Sequence, residues 1–462
     1  MTLGVWDITM ENLLKNAAER AGRYLSEVRN RRVGPSQAAL EGLKGFFVPL
    51  QDEPREPASV LEELDRLGSP ATVGSAGGRY FGFVIGGSLP AALAANVLAG
   101  AWDQNAGLEI ASPVGAALER VSREWLVSVL GLDPATEVGF TSGATMANFT
   151  GLAAARHALL ERQGWDAEAR GLFGAPPITV IVGDEVHASL LKALSMLGLG
   201  RERVTRVPVD AQGRMRGDRL PAIEGPTIVC LQAGNVNTGS FDPIEEICAQ
   251  VRLAEAWVHV DGAFGLWAAA SPRLRHLSRG IDQANSLATD AHKWLNVPYD
   301  SGLVFVREKR HLNAAMAASA AYLLEGEARD PHLFVPEMSR RARGVEIWAA
   351  LRSLGRNGLA QMIERCCDHA QVIARALREA GYDVLNDVVL NQVLVSFGTP
   401  EATQRVIAGI QEEGTLWCGG TKWQGHTAMR ISVSSWATSG ADVEQSIEAI
   451  LRVAKRVGEA PG

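Results

Sequence analysis

Long apolar runs are missing from this chain. The longest weakly polar stretch, 89–102, is too short to cross a bilayer as a helix and contains Asn96. Residues 1–25 interleave Asp7, Glu11, Lys15, Glu19 and Arg20 with their apolar positions, so no signal-peptide core is expected there. A basic surplus is missing too: 45 Lys and Arg face 52 Asp and Glu, a net charge of −7, which excludes the electrostatic footprint of a nucleic-acid binder. Cysteine is scarce. The five (Cys230, Cys248, Cys366, Cys367 and Cys418) show neither zinc-ligand spacing nor an even framework, so no metal site is expected and a reducing, cytoplasmic setting is.

What is present is the profile of an enzyme acting on small molecules. Hydrophobic residues make up 47% and charged residues 21% of 462, enough for a large core and at least two domains. Residues 1–65 read as a helical, charged arm: Leu13, Leu14, Ala17, Ala18, Ala21 and Leu25 form one apolar stripe that packs either on a partner subunit or on its own domain. A large domain is expected over 66–315. Within it, short β-rich runs at 138–140, 178–182, 204–209, 227–232, 257–261, 286–289 and 303–307 alternate with helical or looping connections. That pattern predicts an α/β fold with a seven-stranded, mostly parallel sheet buried on both faces, with ligands outside the carboxyl ends of its strands. Residues 316–462 read as a loop, a long helix with a break near 355–358, and a small C-terminal α+β domain with strands at 382–385, 393–397 and 428–435.

Two charged residues organise the chemistry. Lys293 lies between the sixth and seventh predicted strands, flanked by His292 and Trp294, and Asp261 ends the fifth strand in AWVHVDGAFGLWA. A buried lysine is costly unless it is paired or chemically used. Pyridoxal 5'-phosphate (PLP) needs such a pair: an amine to hold its aldehyde as a Schiff base and an anion to keep its ring nitrogen protonated. The run GFTSGATMANFTG supplies small residues opening a helix, where backbone amides with Ser142 and Thr145 can hold a phosphate. Read by itself, TSGAT is more often a capped helix start than a ligand site. His187 stands where the second strand enters a helix and can lie flat on a pyridine ring or be an ordinary first-turn residue. Asn235, Asn237 and Thr238 offer neutral hydrogen bonds near a carboxylate or ring oxygen. In MRISVSS, strand alternation puts Arg430 on the face opposite Met429 and Ile431, positioned for a substrate carboxylate or for a surface ion pair. Tyr80, Phe81, Phe83 and Trp102 form either a substrate-facing wall or packing.

Taken together, YFGF (80–83), TSGAT with Asn148, DEVHASLLKA (184–193), HVDGAFG (259–265), TDAHKWL (289–295) with Asp300 and Gly302, SRRAR (339–343) and MRISVSSW (429–436) resemble the group II PLP-dependent decarboxylases. These include the aromatic-amino-acid, glutamate, histidine-type and diaminobutyrate decarboxylases. The resemblance runs from about residue 80 to 436. It implies a fold-type-I homodimer with the active site at the subunit interface. Lys293 would be the Schiff-base lysine, Asp261 the pyridinium partner and His187 the stacking imidazole. Ala144, Thr145, Asp290 and His292 would hold the cofactor, with His292 also handling protons and Arg430 meeting the substrate. One departure stands out: family members carry a tyrosine on the mobile loop that protonates the substrate carbon, and ARDPHLFVPEM has His332 and Phe334 there, with Tyr322 earlier. The expected reaction is decarboxylation of an L-amino acid, aromatic or bulky side chains being favoured. Alternatives are an aldehyde-forming decarboxylase, an aminotransferase or another lyase on the same fold, and a non-catalytic PLP-binding protein.

Overall fold

The computed structural model describes residues 10–317 and 329–459. All seven anticipated runs form strands of one sheet: β1 (Glu137–Thr141), β2 (Thr179–Gly183), β3 (Thr205–Val207), β4 (Thr227–Gln232), β5 (Trp257–Asp261), β6 (Ser286–Asp290) and β7 (Gly302–Val306). Their order is β1-β7-β6-β5-β4-β2-β3. Pairings from β3 through β2, β4 and β5 to β6 are parallel, and β7 alone runs against its neighbours β6 and β1. Six strands therefore deliver their carboxyl ends to one edge. Register aligns Thr141 and Asp290 across the same residue, Gly302, which places the helix-opening turn after β1 beside the lysine turn after β6.

Both faces of the sheet are covered, which is why its strands read as continuous apolar runs rather than alternating ones. Phe140, Leu303 and Phe305 enter one core cluster, and Val180, Val182, Val304 and Val306 enter another. The second cluster is packed by the Ala144–Glu161 helix, whose buried face is built of small residues, Ala147, Gly151, Ala154, Ala155 and Ala158. That composition lets the helix approach the sheet closely. At its entry the approach is extreme: a Cβ on Gly302 would lie 2.4 Å from the Gly143 Cα.

The C-terminal part carries an antiparallel sheet of order β10-β11-β9-β8, formed by β8 (Asp383–Val384), β9 (Gln392–Ser396), β10 (Gly419–Trp423) and β11 (His426–Ser432). β10 was not anticipated: GGTKW has no apolar alternation and is held as an edge strand by a tight turn at Gln424 and Gly425, both at positive φ. The Gly344–Glu379 helix does break at Gly355, where φ is 59°. No helix among the described residues is long and apolar enough to cross a membrane, and all five cysteines are free and buried.

Candidate active site

Lys293 follows β6 by one short turn, and its backbone is clamped. A Cβ on Gly86 would sit 1.7 Å from the Lys293 carbonyl oxygen, so the 80–87 segment lies directly on the lysine turn. The ammonium is paired with Asp290, Nζ to Oδ2 at 2.9 Å. The same carboxylate accepts from the Ala144 backbone N–H through Oδ1 and lies 3.3 Å from His292 Nε2. His292 Nδ1 accepts the Ser301 N–H at 3.1 Å, which leaves the ring proton on Nε2, facing Asp290. Burial lowers the His292 pKa, with Asp290 opposing. The imidazole stacks on Tyr299 at 4.2 Å between centroids, and burial raises the Tyr299 hydroxyl to about 12.

Asp261 ends β5, next to β6, and is 5% exposed. Oδ1 accepts the Ala263 N–H at 3.2 Å and Oδ2 accepts from Asn148 Nδ2 at 3.1 Å. Behind it runs a chain of hydrogen bonds whose direction is fixed at the Asp261 end, because Asn148 gives its N–H to that carboxylate and so presents Oδ1 to His259. Trp257 Nε1 can only donate and gives its proton to Ser286 Oγ at 2.8 Å. Ser286 then donates to His259 Nδ1 at 2.8 Å, His259 Nε2–H donates to Asn148 Oδ1 at 2.9 Å, and the Asn148 amide is left pointing its N–H at Asp261. His259 is fully buried and its pKa is pushed down to about 3, so it stays neutral as this chain requires. Burial raises the Asp261 pKa, while His187, Lys293 and the Asn148 bond pull the other way.

His187 caps the Ala188–Met196 helix, Nδ1 accepting the Ser189 N–H at 3.2 Å. Its surface is open to the cleft; the surrounding protein lowers its pKa and Asp261 opposes, so the two face one another electrostatically. Arg430, on β11, joins from the small sheet: Nη1 donates to Asn237 Oδ1 at 3.3 Å, and no carboxylate pairs with it among the described residues. Burial lowers its pKa. Thus Lys293, Asp290, Asp261, His187, His292, Ala144 and Arg430 gather at one end of the sheet, with Thr145 in the first turn of the Ala144–Glu161 helix.

Other expected residues are placed elsewhere. Asn235 uses both ends of its amide inside its own loop, accepting from the Asn237 and Thr238 N–H groups and donating to Gln232, so Asn237 is the residue that reaches Arg430. Phe81 is 1% exposed, a core residue whose backbone bonds Trp417 and Ser432. Trp102 ends the Pro90–Trp102 helix at 42% exposure. Phe83 and Tyr80 do form an aromatic group, but around a residue that was not singled out: Trp417 lies 5.3 Å and 5.2 Å from their respective centroids. His332 and Phe334 are buried, the former on the Gly107 carbonyl and the latter under Arg329. Tyr322 lies outside the described residues. Asn148, His259 and Ser286 were missed as a site because their link appears only when the helix packs on β5 and β6.

The donor set fits PLP: a cleft lysine, a buried carboxylate with directed support, and a helix start of small residues. One amide of that start, Ala144, can serve a phosphate only after Asp290 releases it.

Residues 48–398 match the family model described as the pyridoxal-dependent decarboxylase conserved domain. The aromatic-L-amino-acid decarboxylase of Bacillus atrophaeus is 30% identical over 294 residues, covering 60% of this chain and 56% of that protein. The L-2,4-diaminobutyrate decarboxylase of Rhizobium meliloti is 29% identical over 373 residues, 75% of this chain and 71% of its own length. In fold, the crystal structure of Oryza sativa TDC with PLP and tryptamine superposes with a TM-score of 0.89 at 21% identity, covering 97% of this chain and 99% of that one. The family match spans well over half of a chain whose cleft already holds the lysine and carboxylate such chemistry needs, and the chain belongs to the pyridoxal-dependent decarboxylases, PLP-dependent carboxy-lyases of amino acids.

Proposed function

We propose that this chain removes the α-carboxylate of an L-amino acid with an aromatic or bulky side chain, using Lys293 as the PLP-bearing lysine. The observation that carries this reading is the convergence of Lys293 with the relay-backed Asp261 at the ends of adjacent parallel strands. Bound PLP supplies an electron sink for the pair released when carbon dioxide leaves.

The chain's own groups do the rest. Asp261 keeps an anion where a ring nitrogen needs its proton held, and Asn148 keeps that carboxylate oriented. His187 bounds the opposite side of the cleft. Arg430, a guanidinium bonded to a neutral amide and to no carboxylate among the described residues, is available to fork a substrate carboxylate. His292 holds a proton on Nε2 beside Asp290, the partner of Lys293, and we assign it the return of a proton after carbon dioxide leaves. Thr145 and Ala144 begin the helix that would receive the phosphate. The group of Tyr80 and Phe83, on the segment whose Gly86 lies over the Lys293 backbone, with Trp417 packed on both rings, supports the aromatic preference.

A second product is favoured by one observation. His332 and Phe334 are buried, so neither offers an exposed proton donor, and the alternative reading is an aldehyde-forming decarboxylase, which would consume oxygen and water and release aldehyde, ammonia, carbon dioxide and hydrogen peroxide. We read the assembly as a homodimer with a helical arm over 1–65, a large domain over 66–315 and a C-terminal portion over 316–462. The Met10–Glu27 helix buries no residue of its own, and Leu14, Leu25 and Leu64 are exposed beside it. Borohydride reduction followed by peptide mapping tests the lysine: the pyridoxyl label belongs on the peptide containing Lys293, and a label elsewhere refutes the assignment. Carbon dioxide release from a panel of amino acids, with amine, aldehyde and keto acid measured together, separates decarboxylation from transamination.

A further inference from the structure

Away from the cleft, the far end of the Ala144–Glu161 helix carries a cluster that the chemistry above does not use. His157 and Glu161 are one turn apart on the same helix face. The Lys309–Met316 helix crosses them and brings in His311, and the ligand-type atoms of all three lie within 4.8 Å of one another. We propose that His157, Glu161 and His311 form a binding site for a divalent transition metal of the zinc class.

The distances are those of a site slightly expanded. His157 Nε2 is 3.9 Å from Glu161 Oε1, and His311 Nδ1 is 3.7 Å from Glu161 Oε2. Four ligands at tetrahedral zinc, each about 2.0–2.1 Å from the ion, stand about 3.4 Å from one another. Against that spacing the two contacts to Glu161 must shorten by about 0.3–0.5 Å, and the remaining pair, which lies within 4.8 Å, by up to about 1.4 Å.

A separate observation points to a ligand. The His311 side chain is 0% exposed, and neither ring nitrogen has a hydrogen-bond partner among the described residues. Buried imidazoles are normally satisfied on at least one side. This one is held edge-on against Trp257, centroids 5.8 Å apart, with Nδ1 turned to Glu161.

Each imidazole also has a carboxylate behind it. His157 Nδ1 lies 2.8 Å from Glu168 Oε2, and Glu168 is itself bonded by Arg156. His311 Nε2 lies 3.5 Å from Glu308 Oε2. For His157 such backing fixes the ring proton on Nδ1 and turns the Nε2 lone pair toward the ion, while Glu308 stands near His311 Nε2 without bonding it. Two imidazoles with one carboxylate suit zinc, cobalt or nickel rather than magnesium or calcium. Glu161 is 48% exposed, so solvent can supply the fourth position. Arg310, 63% exposed, pairs with both Glu161 and Glu308 from outside and is the cation that the metal displaces. Occupied, the site would pin the helix that opens on the cofactor cradle to the helix after β7.

The test uses tag-free, PLP-loaded protein, stripped with chelator and titrated with Co(II) while visible absorption is followed. One saturable Co(II) per chain with tetrahedral bands, displaced by Zn(II), is expected, and the affinity should fall at least about tenfold in His157→Gln, Glu161→Gln and His311→Ala. Arg310→Ala should bind as well as the wild type or better. Absence of saturable binding below about 100 μM, or binding that survives the histidine substitutions, overturns the site. Should His311→Ala fail to fold, the part-exposed His157 and Glu161 variants, with bound PLP absorbance as the check of integrity, decide it: retained binding in both refutes the proposal.

Discussion

Lowering the pH should destabilise this protein through His259, and by an amount that can be worked out. The residue has an ordinary value of 6.5 when unfolded and about 3 when folded, because it is fully buried and its two nitrogens are committed to Ser286 and Asn148. Between those values the unfolded chain binds a proton that the folded one refuses, so stability rises with pH across the interval and is lost as pH falls. From pH 7.5 to 5.0 the loss from this one group is about 2 kcal/mol, at about 1.36 kcal/mol per pH unit once below 6.5. Other buried histidines contribute in the same direction, so the informative quantity is a difference. His259→Gln has no titrating group there and retains one donor and one acceptor. Its unfolding free energy, measured in urea at both pH values and one protein concentration, should decline by about 2 kcal/mol less than the wild type's. Parallel declines would refute the reasoning, since His259 would then be protonated or hydrated in the native state and the ordered chain to Asp261 would not exist.

Three further outcomes follow from the cleft. Asn148→Leu removes the donor to Asp261, a hydrogen bond to a charged group of about 1.5–3 kcal/mol; bound-cofactor absorbance should titrate at a visibly different pH, and an unchanged profile would remove Asn148 from the support of that carboxylate. Arg430→Lys loses the planar fork, so KM for the amino acid should rise about tenfold or more with a smaller change in kcat, and an unaltered KM would place the substrate carboxylate elsewhere. Trp417→Ala opens the aromatic group around Tyr80 and Phe83, and kcat/KM should fall more for aromatic than for small aliphatic amino acids; equal losses would show that the group packs without selecting.

How much of this was legible in the chain depends on how local each signal is. The seven large-sheet strands could be read because parallel strands buried on both faces are continuous apolar runs, and Asp261 and Lys293 stood out as charges at their ends. β10 could not, since GGTKW is held by its pairing with β11 rather than by its own pattern. Asn235 misled because an asparagine that closes its own loop looks the same in sequence as one that meets a ligand. Trp417 and the Trp257, Ser286, His259 and Asn148 chain join residues far apart in sequence, and His259 in particular looks like one more buried position in a strand. His157, Glu161 and His311 escaped for the same reason: one helical turn joins the first two, but the third arrives only when a later helix crosses them.

The two carboxylates of the cleft are held in opposite ways, and this difference explains what each can do. Asp261 is enclosed by donors of fixed direction and has no ammonium in direct contact among the described residues, so burial raises its pKa and leaves it receptive to a cationic partner. Asp290 already has its partner: it neutralises Lys293 at 2.9 Å and also occupies the Ala144 amide and faces the His292 proton. An amine so paired is a poor nucleophile until its proton leaves, and an amide so occupied cannot receive a phosphate. Covalent engagement of the Lys293 nitrogen would draw it out of its 2.9 Å contact with Asp290 and so loosen the carboxylate that occupies the helix start. Cofactor capture at the lysine and opening of the cradle are therefore coupled through the Asp290 side chain, which bonds both Lys293 and the Ala144 amide.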